Sequence, residues 1–439
     1  MNFIDKYQNV FILGIGGSGM SSIAKFLKQK GHEVSGYDQR QSYVTNLLEN
    51  DGIQSIHDLN NKNYENSVLY IVSSAMKLEN TFLKSFLHMD NVMTRPQFLK
   101  KLSEEFEIIG VTGTHGKTST TALIAHILHF NKINVSYIFG GVTSFNGIGG
   151  HYGSYKKLLI LETDEAFNTF EEIEISNLLV TNIDNDHIDH YGSFEKLVNA
   201  FNNVLLKVKN KKIINIDDPE LINLKLNEYI SYGLSELADY KITYPNTFEY
   251  RGKSYKIITK LIGNHFISNI VGAIALVQSL GVNIEDALLS IEYFNGVKRR
   301  TEFIGEYNNI KIYDDYGHHP TEIQSTITAL KEKFDGKLVT IFQPHRYTRT
   351  RDNFKNLKAS ISTSDVTFIT DVFPAGEEPI PGIHSSKFED NKIKYIKSPR
   401  MLLQLIKNEV KPGDVILTIG AGDITLLGPE ILRYLNEEK

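Results

Sequence analysis

NVFILGIGGSGMSSIAKFL, residues 9–27, reads as a strand, a tight glycine turn and the start of a helix. Gly14, Gly16 and Gly19 fit the spacing G-x-G-x-x-G directly after the apolar strand Val10–Leu13. Glycines at this spacing let backbone amides approach a phosphate group at the N-terminus of the following helix. The stretch therefore predicts an α/β domain with a pyrophosphate-binding turn near the start of the chain.

A second strand, glycine turn and helix, IIGVTGTHGKTSTTALIAHIL, occupies residues 108–128. Two glycines in its turn allow close approach of phosphate oxygens, Lys117 carries the charge that β- and γ-phosphates require, and the Thr118 hydroxyl suits Mg²⁺. Val111 stands where the longer G-x-x-x-x-G-K-[ST] pattern has its first glycine. The turn predicts a nucleoside triphosphate site, and an ordinary turn before a helix is the alternative.

The rest of the chain alternates short β-branched runs with amphipathic stretches, which is the pattern of βαβ units and parallel sheets. A helix is predicted near Asn80–Leu87 and a β-rich patch at Tyr240–Ile258. The predicted fold class is α/β with three domains, at residues 1–102, 103–298 and 299–439. The first and last are expected to be Rossmann-like, and the central one to be P-loop ATPase-like with a parallel or mixed sheet.

Composition excludes several classes of protein. The 439 residues are 41% hydrophobic and 23% charged, which is typical of a globular chain, and the net charge of −5 gives no footprint for nucleic acid. There is no cysteine, so disulfides, thiolate metal sites and a cysteine nucleophile are excluded. No apolar run is long enough to span a membrane, and the N-terminus lacks the pattern of a signal peptide. We expect a cytoplasmic protein that binds neither nucleic acid nor membrane.

Carboxylates and a histidine follow two of the predicted central strands. Glu162 and Asp164 end LLILETDE, where ligands bind in open α/β sheets, and His187 lies in the next strand end, TNIDNDHID. That second segment also contains three aspartates, namely Asp184, Asp186 and Asp189. Mg²⁺ prefers the oxygens, so His187 indicates either a second, less demanding metal site or a structural histidine.

The third block contains two polar segments at predicted strand ends. YDDYGHHPTEI, residues 313–323, places two aspartates, tyrosine and two histidines together, with Pro320 at the expected first position of a helix. FQPHRYTRTRDNF, residues 342–354, contains His345 and three arginines. A solvated basic loop is the alternative interpretation, but arginine forks suit carboxylates and phosphates, so we expect an anionic substrate.

In order, the segments GIGGSGMS, GTHGKTSTT, ETDE, TNIDNDHID, RRTEFIGE, DDYGHHPTEI, QPHRYTRTRDNF, DVFPAGEEPIPG and GAGDI run through nearly the whole chain. This series resembles the UDP-N-acetylmuramate–L-alanine ligases of the Mur ligase family. The resemblance implies a cytoplasmic enzyme of peptidoglycan synthesis that uses ATP to join L-alanine to the lactyl carboxylate of UDP-N-acetylmuramic acid. The first domain would then bind the UDP-sugar, the central domain ATP, and the third the amino acid while closing over ATP.

Residue by residue, the resemblance implies three groups of site residues. UDP-sugar ligands are expected at Gly14, Gly16, Gly17, Ser18, Gly19, Met20, Asp38, Ser73 and Ser74. ATP ligands are expected at Gly113, Thr114, His115, Gly116, Lys117, Thr118, Ser119, His265, Asn269 and Arg300. Metal ligands are expected at Thr118, Glu162 and His187, for two Mg²⁺ sites at which Mn²⁺ is an alternative. Catalytic roles are implied for Lys117, His187, Arg300, Asp315, His345, Arg346 and Arg349.

One position departs from the family pattern. The family helix reads G-x-H-N-x-x-N, whereas GNHFISN here keeps Gly263, His265 and Asn269 but has Phe266 in place of the first asparagine. An aromatic ring stacks on a base but lacks the donor and acceptor of an amide. We therefore expect looser selection of the nucleotide base.

Three rival interpretations remain at this stage. A related ligase that attaches a recycled tripeptide to the same sugar nucleotide has a first turn resembling GTFMG, unlike the turn found here. A nicotinamide-dependent dehydrogenase accounts for the first turn but leaves Lys117, Glu162 and GHHP without a task. A nucleotide-gated binding module without turnover needs few of these residues.

Overall fold

The computed structural model describes residues 3–59, 64–74, 76, 89–166, 169–186 and 188–437. The chain divides into two compact units, one made of Met1–Lys260 and Ile267–Val297 and the other of Leu261–Phe266 and Lys298–Lys439. Within the described part of the chain, no helix combines the length and apolar character needed to cross a membrane.

The first sheet begins with the strand of the opening stretch and is parallel throughout. Its strands are β1 (Asn9–Leu13), β2 (Glu33–Tyr37), β3 (Gln54–Ile56), β4 (Val68–Val72) and β5 (Val92–Thr94), in the order β3-β2-β1-β4-β5. The accompanying helices are α1 (Ser18–Lys30), α2 (Tyr43–Asn50) and α3 (Arg95–Glu105). All five residues of β4 are buried, as expected for a central strand with both faces covered. The strand order reverses between β1 and β4, which places a ligand crevice at their carboxyl ends.

The second sheet has ten strands in the order β15-β14-β13-β12-β11-β10-β6-β9-β7-β8. They are β6 (Glu107–Thr112), β7 (Ser136–Thr143), β8 (Gly147–His151), β9 (Leu158–Glu162), β10 (Ile175–Val180), β11 (Lys212–Asn215), β12 (Ile230–Gly233), β13 (Tyr240–Thr243), β14 (Thr247–Tyr250) and β15 (Lys253–Lys256). The pairs β7–β8, β13–β14 and β14–β15 are antiparallel, and the other pairs are parallel. The β-rich patch predicted at Tyr240–Ile258 is therefore an antiparallel extension of a mainly parallel sheet.

Helices cover the second sheet. They are α4 (Lys117–Phe130), α5 (Thr169–Glu172), α6 (Ile188–Tyr191), α7 (Phe194–Lys207), α8 (Pro219–Ile222), α9 (Asn264–Ser279) and α10 (Ile284–Glu292). Eleven successive residues of α4, from Thr118 to Leu128, are buried, so this helix is a core element.

The helix α1 packs against the β7–β8 hairpin and so joins the first two sheets. The Ser22 hydroxyl donates a 2.6 Å hydrogen bond to the Phe139 carbonyl. A Cβ atom at Gly150 of β8 would lie 2.0 Å from the Ser22 carbonyl oxygen, so only glycine permits this approach. The helix that follows the first glycine turn is thus fixed on the sheet that carries the second turn.

The third sheet lies in the second unit, in the order β16-β17-β21-β18-β19-β20. Its strands are β16 (Glu302–Tyr307), β17 (Ile310–Asp315), β18 (Leu338–Phe342), β19 (Val366–Ile369), β20 (Ile393–Tyr395) and β21 (Val415–Ile419). Only the β16–β17 pair is antiparallel. The helices are α11 (Pro320–Lys333), α12 (Tyr347–Asp352), α13 (Phe354–Ile361), α14 (Pro399–Glu409) and α15 (Leu427–Glu437). Pro320 is the first residue of α11, as predicted.

The predicted α/β fold class is confirmed, with three sheets that are parallel or mainly parallel. The predicted domain limits, 1–102, 103–298 and 299–439, stay predictions. The helix predicted near Asn80–Leu87 lies outside the described residues.

Candidate functional site

The first glycine turn lies at the carboxyl edge of the first sheet. Gly14 has φ of +81°, and a Cβ atom there would lie 2.8 Å from the Ser73 Cβ atom in the loop after β4. The Gly16 amide donates a 2.9 Å hydrogen bond to Oδ2 of Asp38, which follows β2. The turn is thus held by both neighbouring loops, at the point where the strand order reverses.

The other residues predicted for the UDP-sugar lie in or beside this turn. The Gly17 amide donates to the Gly14 carbonyl, and Ser18 begins α1. Met20 is buried in the core, and Ser74 is exposed. Asp38 uses one carboxylate oxygen to hold the turn, an interaction that the sequence analysis did not foresee. The roles of these residues toward a sugar nucleotide stay predictions.

The second glycine turn is held by the segment after β10. Gly113 has φ of +132°, and a Cβ atom there would lie 2.1 Å from Oγ1 of Thr181. The His115 amide donates to Oδ1 of Asn182 at 2.9 Å, and the Thr181 hydroxyl donates to the His115 carbonyl at 2.6 Å. Sequence analysis missed Thr181 and Asn182 as partners of the turn, although both lie in the quoted TNIDNDHID segment.

Lys117 is folded back onto its own turn and onto a buried carboxylate. Its Nζ atom donates to the carbonyls of Gly113 at 2.7 Å and Thr114 at 3.1 Å, and lies 2.9 Å from Oε2 of Glu165. Burial alone would lower the pKa of the ammonium, but the carboxylates of Glu165 and Asp164 outweigh it and raise that pKa. The Lys117 side chain is therefore positively charged. Sequence analysis missed Glu165, which is the last residue of ETDE.

Thr118 and Glu162 form an oxygen-rich pair beside the turn. The Thr118 hydroxyl donates to Oε1 of Glu162 at 2.7 Å, and the Gly140 amide donates to Oε2 at 2.6 Å. A hydroxyl and a carboxylate are the hard donors that Mg²⁺ prefers, so these residues fit one predicted metal site. His187 and the side chain of Asp189 fall outside what the structure describes, so the second metal site stays a prediction.

Gly140 of β7 lies close to both Ser18, at the start of α1, and Glu162, at the end of β9. An ideal Cβ atom on Gly140 would lie 3.2 Å from Oγ of Ser18 and 3.4 Å from Oε2 of Glu162. The Ser18 hydroxyl and the Glu162 carboxylate therefore both lie beside Gly140, no farther from each other than the sum of these two distances. The regions around the two glycine turns therefore approach each other beside this strand.

The first three residues of α9 belong to the second unit, and the rest of the helix belongs to the first. In the first unit, Asn269 lies against the second turn, because a Cβ atom on Gly116 would lie 2.9 Å from its Nδ2 atom. In the second unit, the rings of His265 and Phe266 lie 4.4 Å apart, and burial lowers the pKa of His265 to about 4. Phe266 is buried, and its side chain has no amide group. The departure from the family pattern therefore removes a hydrogen-bonding side chain from this position of α9.

In the second unit, Asp315 holds the backbone beside Arg300. Its Oδ2 atom accepts from the Thr301 amide and its Oδ1 atom from the Gly317 amide, both at 2.7 Å. Burial raises the pKa of Asp315 to about 6, although the Arg300 guanidinium acts in the opposite direction. The Arg300 guanidinium lies over the Tyr316 ring at 5.0 Å. Asp315 is thus built in as a positioning group.

Arg299, in the RRTEFIGE segment, forms hydrogen bonds with the distant GAGDI segment. Its NH2 atom donates to the carbonyls of Gly420 at 2.8 Å and Gly422 at 2.9 Å. Sequence analysis did not single out Arg299, because the contact spans 121 residues and leaves no local pattern.

The basic loop after β18 is organised rather than merely solvated. The His345 ring stacks on Phe373 with 5.6 Å between centroids, and burial, with nearby His318, lowers its pKa to about 3, so it is neutral at pH 7. Nε of Arg346 lies 2.9 Å from Glu377, whose Oε1 atom also accepts from the Thr348 hydroxyl. Arg349 lies one turn further, in α12. The Glu377 carboxylate therefore holds the Arg346 guanidinium in place, in the same segment that carries Arg349.

Three protein-family models match successive parts of the chain. They are described as Mur ligase family, catalytic domain, at residues 9–107; Mur ligase middle domain, at 111–277; and Mur ligase, glutamate ligase domain, at 299–422.

Similar proteins span the full length of the chain. A UDP-N-acetylmuramate–L-alanine ligase of Vesicomyosocius okutanii is 35% identical, covering 99% of this chain and 98% of the relative. The ligase of the same name from Desulforamulus reducens is 33% identical over 100% of both chains. The crystal structure of UDP-N-acetylmuramate–alanine ligase from Thermotoga maritima is similar with a TM-score of 0.83 at 26% identity, covering 98% of this chain and 100% of that one.

Proposed function

Because the chain belongs to the Mur ligase family, we propose that it is an ATP-dependent ligase that joins L-alanine to the lactyl carboxylate of UDP-N-acetylmuramic acid. The products are UDP-N-acetylmuramoyl-L-alanine, ADP and phosphate, and the reaction serves peptidoglycan synthesis in the cytoplasm. The UDP-sugar, ATP and L-alanine are its small-molecule partners.

The observation that carries this proposal is that Ser18 and Glu162 both lie beside Gly140. A dehydrogenase needs one dinucleotide turn, whereas in this chain a residue next to the first glycine turn, Ser18, and a residue next to the second, Glu162, both lie beside one glycine. A ligase must hold a sugar nucleotide and a triphosphate next to each other, because one attacks the other. The arrangement supports transfer of a phosphoryl group between the two bound nucleotides.

In the proposed first step, the lactyl carboxylate attacks the γ-phosphorus of ATP, giving an acyl phosphate and releasing ADP. A carboxylate is a poor electrophile at neutral pH, so this activation is required before an amide can form. Lys117 leaves the carbonyls of its own turn and binds the β- and γ-phosphates, which offsets the charge that develops during transfer. The backbone amides at the start of α4 hold the remaining phosphate oxygens.

In the second step, the amine of L-alanine attacks the acyl carbon and phosphate leaves. Arg346 and Arg349 bind the amino-acid carboxylate, and neutral His345 contacts the substrate without adding charge. Arg300, oriented through the backbone that Asp315 holds, binds ATP.

Thr118 and Glu162 hold Mg²⁺ in this proposal, which their oxygen donors fit. The ion, when bound, supplies positive charge at the phosphates. A second ion at His187 belongs to the proposal by family correspondence alone.

Incubation with ATP, UDP-N-acetylmuramic acid and one amino compound at a time tests the proposed function. We expect ADP and a product of the mass of UDP-N-acetylmuramoyl-L-alanine only when L-alanine is present with the sugar nucleotide. The L-alanyl-γ-D-glutamyl-meso-diaminopimelate tripeptide and nicotinamide cofactors are the comparison arms. A product mass that includes the tripeptide, or reduction of a nicotinamide cofactor, would contradict the proposal.

Phe266 predicts relaxed choice of the purine. Because no amide stands at this position, we expect GTP to support ligation with kcat/KM within about tenfold of ATP, since a site that lacks a base-specific hydrogen bond discriminates weakly. The variant Phe266→Asn should increase the preference for ATP. Steady-state rates with each nucleotide measure this, and strict use of ATP by the unaltered protein would overturn the prediction.

A further inference from the structure

Arg95 is a cation at the edge of the first sheet that the sequence analysis did not single out. It is the first residue of α3 and directly follows β5, so it lies at the same carboxyl edge as the first glycine turn. That edge collects the turn after β1, Asp38 after β2 and Ser73 after β4. Ligands of open parallel sheets bind at this edge.

The Arg95 guanidinium lies against the first turn of α1. An ideal Cβ atom at Gly19 would lie 2.9 Å from Nε and 3.3 Å from both Cζ and NH2 of Arg95. Any side chain at Gly19 would therefore push the guanidinium away. The third glycine of the G-x-G-x-x-G turn is needed here to admit an arginine beside the amides at the start of the helix.

Arg95 has no carboxylate to satisfy it among the described residues. Its Nε atom is completely buried and makes no hydrogen bond there, and no described acidic side chain pairs with the guanidinium. An unsatisfied buried donor costs free energy, and more so when the group is charged. Arginine is the side chain best matched to phosphate, because its planar fork donates two parallel hydrogen bonds. An arginine of this kind is explained by an anion that arrives with the substrate.

We propose that Arg95 binds the diphosphate of the uridine-linked substrate, together with the amides of the first glycine turn. This inference rests on the proposed function, which places a nucleoside diphosphate sugar in that turn. It adds a positively charged ligand to a site whose other predicted ligands carry no positive charge. The absence of a side chain at Gly19 leaves the space that the Arg95 guanidinium occupies.

Calorimetric titration of the full chain with UDP and with uridine tests the assignment. The variant Arg95→Gln should weaken UDP binding by about 10- to 100-fold, the range expected for a charge-assisted contact, and leave uridine binding unchanged. The KM for UDP-N-acetylmuramic acid should rise in step, while ATP binding stays the same. Arg95→Lys should recover only part of the loss, because lysine keeps the charge without the fork.

Lys100 provides the matched control, because it is an exposed cation on the same helix α3. Lys100→Gln removes the same charge and should leave UDP binding unchanged. Gly19→Ala is a second route to the same result, since it displaces the guanidinium without altering Arg95 itself. Gly19→Ala should therefore also lower the affinity for UDP.

UDP affinity within about twofold of the unaltered protein in Arg95→Gln, with ATP binding retained, would overturn the assignment and leave the ligase function standing. Equal losses for UDP and uridine would also overturn it, since they indicate a structural effect. Failure of the unaltered protein to form the L-alanine product would instead contradict the proposed function. The two failures are therefore distinguishable.

Discussion

Replacing Lys117 by alanine is expected to lower kcat/KM for ligation by at least about 10³-fold. The ammonium is the cation at the centre of the second glycine turn, held by Gly113, Thr114 and Glu165. Removing one preorganised donor from a site of developing charge typically costs 10²- to 10³-fold in rate, and Lys117 contributes a full charge as well. Phosphate release that depends on both the sugar nucleotide and L-alanine measures the effect.

This substitution also removes the cation that pairs with the buried Glu165 carboxylate. The resulting loss of stability must be distinguished from the loss of catalytic activity. Glu165 is fully buried, and removing its cation from a buried pair costs about 3–5 kcal/mol in the free energy of unfolding. The double variant Lys117→Met with Glu165→Gln removes both charges and should recover most of that stability. It should remain inactive, because no cation faces the phosphates.

Lys211 supplies a control for the loss of a lysine, since it is exposed and lies in the same unit. Lys211→Ala should retain full activity and stability. Near-normal turnover in Lys117→Ala, or restored turnover in the double variant, would refute the role assigned to Lys117.

Replacing Glu162 by glutamine is expected to produce the second-largest loss, of about 10²-fold or more in kcat at 1 mM Mg²⁺. Glutamine has nearly the same shape, so the contacts to Thr118 and Gly140 can be kept in part while the charge that attracts Mg²⁺ disappears. We therefore expect the Mg²⁺ concentration for half-maximal rate to rise, with some activity returning at high Mg²⁺. Rate measured against Mg²⁺ concentration checks this.

Glu172→Gln is the control for charge loss, because Glu172 is exposed and lies outside the turn. It should leave the Mg²⁺ dependence unchanged. If Glu162→Gln had the same rate and the same Mg²⁺ dependence as the unaltered protein, the magnesium role of Glu162 would be wrong.

The glycine turns and buried strands could be predicted from sequence because their signals are local. The spacing of Gly14, Gly16 and Gly19 and the GKTS turn both carry their meaning within a few residues. The β7–β8 hairpin carried no such signal, because β8 reads GIGGH and glycine has low strand propensity. Its partner is non-local: Gly150 admits the Ser22 carbonyl of α1 from more than a hundred residues away.

In the candidate site, too, local sequence signals could be predicted and non-local contacts could not. Family correspondence identified the residues expected to touch ligands, but not those that hold them. Thr181, Asn182 and Glu165 act on the second turn across 40 to 70 residues of sequence, and their residue types alone do not predict such contacts. Asp38 is predicted as a UDP-sugar ligand, and its carboxylate also accepts a hydrogen bond from the Gly16 amide.

The contact between α1 and the β7–β8 hairpin has a further consequence for solubility. The ten-stranded sheet has two outer strands, β15 and β8. Exposed edges invite strands from other molecules, and β15 discourages this with Lys253 and Lys256. The glycine-rich β8 has no such charges, and α1 packs on the face of this strand at Gly150. A fragment lacking the first hundred residues would uncover that face next to an outer strand without charged side chains, and we expect such a fragment to aggregate.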